Sequence, residues 1–443
     1  MFSASFQPGV RRARCRRRFA ALLVLGSAFV CLASHAQQAL TLDLALRAAQ
    51  DRSRQLPAQD FAAAAAREMA VAAGQRPDPT LKVGVSNLPI DGSDRLSLTR
   101  DFMTMRSVGV MQEITRSDKL KARSARFDRE AEAAEAVRAT ALANLRRDTA
   151  MAWLDRYYQE RMLEALQGQR TEAGLQIEAA DAAYRGGRGA QADLFAARSA
   201  VALIDDRIRQ TERQIATSKT RLARWVGAQA EQPLGALPAL AAVRMDVTNV
   251  ESQLAHHPEI MMMVKQEEMA LADADIAQSN KRSDWNVELM FSQRGPAYSN
   301  MVSVNVSIPL QLDAGNRQDR ELAAKLAVVE QVRAQREEAT REHLAETRSW
   351  LQEWQSGRDR LSHYDSTLIP LAAERTRASL AAYRGGGGPL SAVLEARRME
   401  IDTRMDRLRL EMETADRWAQ LEYLVPRTHE VTLQDRTAAP TEK

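Results

Sequence analysis

The chain has 443 residues, 62 of them basic and 58 acidic, for a formal net charge of +4. The first 36 residues hold six of the basic residues and no acid, so residue 37 onward carries 56 basic against 58 acidic residues, net −2, which removes the electrostatic case for a nucleic-acid partner. Both cysteines, Cys15 and Cys31, lie in that same stretch, so the rest of the chain has no thiol for disulfides, nucleophilic catalysis or thiolate metal sites.

Residues 1–36 read as a secretory signal peptide. An arginine-rich start (Arg11 to Arg18) precedes an apolar run (Phe19 to Ala33), and Ser34-His35-Ala36 gives a small-x-small cleavage site before Gln37. The apolar run, about 15 residues, is short of the roughly 20 that a membrane-spanning helix needs. The stretch Ala28-Phe29-Val30-Cys31 lacks the small residue that usually precedes a lipidated cysteine, which argues against lipid attachment. No later segment reaches 18 consecutive apolar residues; membrane insertion therefore requires a closed β-barrel or peripheral association.

The remainder reads as two similar units, residues 37–235 and 236–427, followed by a flexible tail at 428–443. The duplication shows in Ala182-Ala183-Tyr184-Arg185-Gly186-Gly187-Arg188-Gly189, which recurs 199 residues later as Ala381-Ala382-Tyr383-Arg384-Gly385-Gly386-Gly387-Gly388. In the first unit an opening helix leads to a strand pair, Leu81 to Asn87 and Val108 to Ile114, within 81–114. Pro89-Ile90-Asp91-Gly92 supplies a turn signal between the strands. A helix-forming composition without proline follows from Asp118 to Tyr184, with Leu142, Leu145, Thr149, Ala152 and Tyr157 as a narrow apolar stripe. Such a helix is on the order of 100 Å long. The tip at 184–190 turns it into a second arm, Gln191 to Val226, which Asp193 is placed to cap.

The second unit repeats this order: an opening helix, a strand pair within 285–308, a long helical stretch from Asn316 to Tyr383, and a tip at 383–389. Val302, Val304, Val306 and Ile308 alternate with Ser303, Asn305 and Ser307, giving one apolar and one wet face. Pro370 marks a kink or joint in the long stretch. A second arm runs from Leu390 to Leu424, with Ser391 near its start. The fold class is therefore mainly α with a small β part, a duplicated helical-hairpin and strand-pair unit.

Four strands are too few to close a barrel, for which small barrels use about eight. Three copies would supply twelve. The competing architecture, a four-stranded sheet on an ordinary helical bundle, leaves the roughly 100 Å hairpin without a role.

These features resemble the TolC-type outer-membrane factor family of Gram-negative export systems. The marks, in order, are Leu40-Thr41-Leu42-Asp43-Leu44-Ala45-Leu46, Arg76-Pro77-Asp78-Pro79-Thr80-Leu81, Val306-Ser307-Ile308-Pro309-Leu310, Gly315-Asn316-Arg317 and both Tyr-Arg-Gly-Gly tips. The resemblance implies a homotrimer with a 12-stranded outer-membrane β-barrel, set in outer-membrane lipid and continued by an α-helical periplasmic tunnel. It also implies a periplasmic adaptor and an inner-membrane pump of the resistance-nodulation-division type as partners. Gly84 to Ile90, Asp101 to Arg106 and Gln112 to Lys119 are most similar to the heavy-metal (cobalt-zinc-cadmium and copper-silver) branch. Met103, Met105 and Met111 are candidate soft-metal contacts, with gap-filling as the alternative role.

From the family pattern, the channel gate at the periplasmic tip maps to Tyr184, Arg185, Arg188, Asp193, Tyr383, Arg384 and Glu395. The second tip departs from the pattern: Ala392 stands at one acidic position, Glu395 at the other, and Gly388 where the family has an arginine. A threefold ring of Asp193 and Glu395 would favour cations and raise carboxyl pKa values by crowding. Otherwise Asp193 is a helix cap and Glu395 part of a solvated face.

No cofactor or resident metal is expected. His256 and His257 are adjacent on a helix start and point apart, and no second cluster is evident among the six histidines. Nor is an enzyme expected, since nucleophile motifs and phosphate-binding glycine loops are lacking. A periplasmic coiled-coil scaffold without a pore is the alternative from another class, and the amphipathic strand pairs argue against it.

Overall fold

The computed structural model describes residues 39–187, 189–245 and 249–424. The expected leader at 1–36, the tail at 428–443 and Arg188 lie outside the described residues. Among the described residues no helix is long and apolar enough to cross a membrane.

The chain opens with α1 (Leu42–Arg52), whose first turn is capped by the Thr41 hydroxyl accepting from the Leu44 N–H at 3.3 Å. Then come α2 (Gln55–Ala73), β1 (Thr80–Ser86), β2 (Met105–Ile114), α3 (Ser117–Arg185) and α4 (Gln191–Val226). After a 3₁₀ turn at Gly227–Glu231 the order repeats: α5 (Val250–Leu254), α6 (Pro258–Asn280), β3 (Trp285–Gln293), β4 (Met301–Ser307), α7 (Gln318–His363), α8 (Ile369–Arg384) and α9 (Leu390–Glu422). The single 69-residue α3 is roughly 100 Å long. In the second half a π-helical turn, Tyr364–Leu368, divides the equivalent stretch immediately before Pro370. Proline has no N–H, and its ring crowds the carbonyl four residues back, here Ser366 inside that turn. The helix is rerouted at this point rather than ended.

The main core lies at mid-length of α3, where α1, α4, α7 and α9 meet it around Trp153, Leu154, Tyr158, Leu222, Leu351 and Trp418. Three polar anchors strap irregular segments onto this core. The Trp153 indole N–H donates to the Leu40 carbonyl at 2.9 Å, and the buried Arg156 guanidinium donates to the carbonyl of Gln232, also at 2.9 Å. The Trp418 indole N–H does the same for the loop carbonyl of Ala242 at 2.9 Å. Each bond satisfies a buried donor and ties it to the backbone of an irregular segment.

The apolar stripe of α3 departs from expectation. Leu145 and Thr149 are buried, but Leu142, Ala152 and Tyr157 are half-buried, and the seam continues through Trp153, Leu154 and Tyr158 instead. α3 contacts α2, α4, α6 and α9 along its length, so the buried face rotates as the partner changes. No single stripe describes it.

The strands form one antiparallel sheet in the order β1-β2-β3-β4. Its junction with the helices is held by Lys119 at the start of α3, buried, whose Nζ lies 2.6 Å from Asp284 just ahead of β3. The single chain presents an open sheet, not a closed barrel. The outer edges of β1 and β4 carry no ladder partner among the described residues.

Candidate functional site

The two helical tips are built alike. At the end of α3, the Gly186 N–H donates to the Ala182 carbonyl at 3.0 Å and Gly187 takes φ +66°. At the end of α8, the Gly385 N–H donates to the Ala381 carbonyl at 2.9 Å and Gly386 takes φ +74°. This left-handed residue is where a helix terminates with least strain if it is glycine, which explains the second glycine of each Tyr-Arg-Gly-Gly element. The tips lie side by side, since Ala180, Leu194 and Ala197 of the first pack in one cluster with Leu390 and Val393 of the second.

Within that end of the molecule the expected gate residues are placed unequally. Tyr184 is 44% exposed, whereas Tyr383 is half-buried against the shared cluster. The Arg185 guanidinium reaches back one turn to Asp181 at 2.7 Å, an exposed pair that adds little to stability. Arg384 is exposed. Asp193 accepts the Ala190 N–H at 3.3 Å through one carboxylate oxygen, so it caps α4, and Glu395 is exposed on α9. Arg188 cannot be placed, being outside the described residues. A single protomer thus brings Asp193 and Glu395 to one end of the molecule without forming a ring.

The sheet separates two chemistries by register. Leu81, Val110, Leu289 and Val304 pair in one row, and Val83, Val108, Phe291 and Val302 in the next. All eight are exposed. The opposite face carries Lys82, Ser107, Glu288, Ser303 and Asn305, with Lys82 bonded to Glu288 at 3.0 Å. An apolar face of this extent on a folded chain marks contact with lipid or protein rather than water.

Met105 and Met111 lie on the polar face but six residues apart on β2, about 20 Å along an extended strand, so with the loop residue Met103 they do not form one site. Met290 and Met301, one on each of the next two strands, share that face and are staggered between Met111 and Met105 by the register. Those two were missed in the sequence because the alternation of β3 and β4 assigns a face only once the register is known. His256 and His257 do point apart: His256 is exposed with its Nδ1 3.1 Å from the Ser252 carbonyl, and His257 is buried. The expectation that no further cluster exists needs correction, because α7 brings His343 against His257 and Glu259. His343 is 86 residues away in sequence, and no local spacing could have signalled it.

Long paired helices carrying a small open sheet with one apolar face form a fold that this chain shares with solved outer-membrane channel structures. The chain superposes on CusC, described as undergoing transmembrane channel formation, with a TM-score of 0.75 over 87% of this chain and 92% of that one, at 15% identity. It also superposes on the outer membrane protein VceC of Vibrio cholerae (TM-score 0.71, 86% and 95% covered, 18% identity). The Campylobacter jejuni outer membrane channel CmeC matches with TM-score 0.73, 89% and 88% covered, at 10% identity. Residues 249–425 match the outer membrane efflux protein family model. No curated protein matches the sequence.

Proposed function

We propose that this protein is the outer-membrane exit duct of a tripartite efflux system. Three copies, each made of the two units 37–235 and 236–427, pair the open edges of β1 and β4 into a 12-stranded barrel. The apolar rows then face lipid, and the helical hairpins continue as a periplasmic tunnel. The observation that carries this reading is the pair of exposed apolar rows on a sheet with two open edges. Only a closed barrel satisfies backbone groups inside a bilayer. Transport is passive; a periplasmic adaptor and an inner-membrane pump supply energy and most of the selectivity.

The tips are the proposed gate, with Asp193 and Glu395 from three protomers gathering six carboxylates round the axis and favouring cations. Heavy-metal cations are the proposed cargo, supported by the resemblance of 84–90, 101–106 and 112–119 and by Met111, Met290 and Met301 on the polar face. The alternative cargo is an organic compound in a duct of the same architecture. A scaffold without a pore has no use for the apolar rows.

Fractionation tests the class: recovery in the outer membrane with heat-modifiable migration is expected, and a soluble periplasmic pool refutes it. In planar lipid bilayers, Asp193→Ala with Glu395→Ala is expected to reduce cation selectivity. Unchanged conductance and selectivity rule out this gate. A deletion strain sensitive to copper, silver, cobalt, zinc or cadmium supports the metal cargo, and sensitivity confined to organic compounds rejects it.

A further inference from the structure

α6 begins with Pro258, which fixes the first helical turn, and the preceding His257 is its extended N-cap residue (φ −63°, ψ 131°). This geometry sets the His257 ring against that of His343 on α7, with centroids 4.8 Å apart and planes tilted by 40°. Glu259, in the first turn of α6, places a carboxylate oxygen 3.1 Å from His343 Nε2. One ligand-type atom from each of His257, Glu259 and His343 lies within 4.8 Å of the others.

The three side chains border a cavity of about 50 Å³ that is also lined by Thr140, Arg147 and Tyr423. They therefore meet where α3, α6, α7 and the end of the described chain converge, away from both the tips and the sheet. His257 is 8% exposed, and its Nδ1 has no hydrogen-bond partner. A buried ring nitrogen without a partner is costly, so a ligand that takes its lone pair would be stabilising.

We propose that His257, Glu259 and His343 form a resident divalent-metal site of the zinc class, which ties the start of α6 to α7. Two imidazoles and one carboxylate are a borderline donor set suited to Zn(II), Co(II), Ni(II) or Cu(II). Calcium and magnesium prefer oxygen, whereas Cu(I) and Ag(I) prefer sulfur. Donors in a tetrahedral zinc site stand about 3.3 Å apart, as follows from bonds of about 2.0 Å. The His343 and Glu259 atoms already meet that spacing, and the 4.8 Å limit on the cluster leaves at most about 1.5 Å to close on the His257 side.

The charged groups around the site are Arg147 on α3, itself paired with Asp148 at 2.8 Å, and Glu346 on α7, 3.8 Å from His343 Nδ1. Asp148 offsets the Arg147 charge, and Glu346 lies on the side of the His343 ring opposite the site. Burial, then the neighbouring His343 and Arg147, push His257 down to about 4. The inference does not depend on the transport reading.

The test uses the full chain without a histidine tag, stripped with EDTA in detergent and titrated calorimetrically with ZnCl₂. One zinc per protomer is expected, with a rise in the thermal midpoint and an X-ray absorption shell of nitrogen and oxygen containing two imidazoles. His343→Gln and Glu259→Gln, both at partly exposed positions, should weaken binding by at least about tenfold while keeping the helical spectrum. His256→Ala should bind as the parent does. Absence of stoichiometric binding, undiminished binding in both glutamine variants, or loss of binding in His256→Ala overturns the proposal.

Discussion

Gly357 lies inside α7 and is buried against α9, where a Cβ would fall 2.3 Å from Thr414 Oγ1 and 3.2 Å from its Cγ2. Thr414 cannot swing away freely. It is 7% exposed, and its hydroxyl donates to the Leu410 carbonyl at 2.7 Å, which fixes its rotamer. In a solvated helix, glycine to alanine gains about 1 kcal/mol. Overpacking a tight helix contact costs about 1–3 kcal/mol, so Gly357→Ala should lose up to about 2 kcal/mol net. Gly168, exposed on α3 with no atom within 4 Å of where an alanine methyl would stand, should show the opposite sign and gain about 1 kcal/mol.

Thr414→Ala removes both close atoms, so the double variant Gly357→Ala with Thr414→Ala should recover at least about 1 kcal/mol through coupling. The assay is the apparent melting midpoint in detergent by circular dichroism at one scan rate, since unfolding of such a protein need not be reversible. The ordering decides the matter. If Gly357→Ala raises the midpoint as Gly168→Ala does, the close α7–α9 approach is wrong, and the helices sit farther apart than described.

Asp416 on α9 is pushed up to about 6, first by burial and then by Asp155, with Glu413 adding to the rise and Arg417 opposing it. The folded state then holds the proton more tightly than the unfolded chain. Its contribution to stability is fully present below about pH 4 and is lost as the pH rises to about 6. The loss is at most about 3 kcal/mol, so Asp416→Asn should be more stable than the parent at pH 8 and equal to it near pH 3.5 in denaturant titrations. Equal stability at both pH values refutes the buried carboxyl. Val304→Arg, on the exposed apolar row, should cost about 2–4 kcal/mol at a bilayer midplane and lower outer-membrane recovery, whereas Ser303→Arg on the opposite face should be tolerated. Equal recovery of the two would falsify the lipid-facing assignment.

Much of this fold was readable in the residues because its determinants are local. Glycine is needed where a helix must end with positive φ, so the Tyr-Arg-Gly-Gly elements located both tips, and Gly187 and Gly386 adopt that conformation. The absence of proline between Pro89 and Pro233 placed the first long helix, and Pro370 placed the joint in the second. Alternation in 302–308 marked the amphipathic strand. Local rules also announced a departure between the tips, where Gly387 stands in the second at the position that Arg188 holds in the first.

What depended on distant partners could not be read this way. A local pattern selected Leu142, Ala152 and Tyr157 for the seam of α3, but the buried face rotates because successive neighbours lie on different sides. Met290 and Met301 join Met111 on one face only through a register that hydrogen bonding across three strands decides. His257 alone reads as one of two histidines at a helix start; α7, packed against α6, gathers it with Glu259 and His343 into one cluster. Sequence by itself determined the duplicated element order and the sites of turns, since these follow from backbone preference and short-range periodicity. Tertiary structure alone decided which faces are buried, which side chains converge and which sheet edges stay open, because those depend on contacts between residues far apart in the chain.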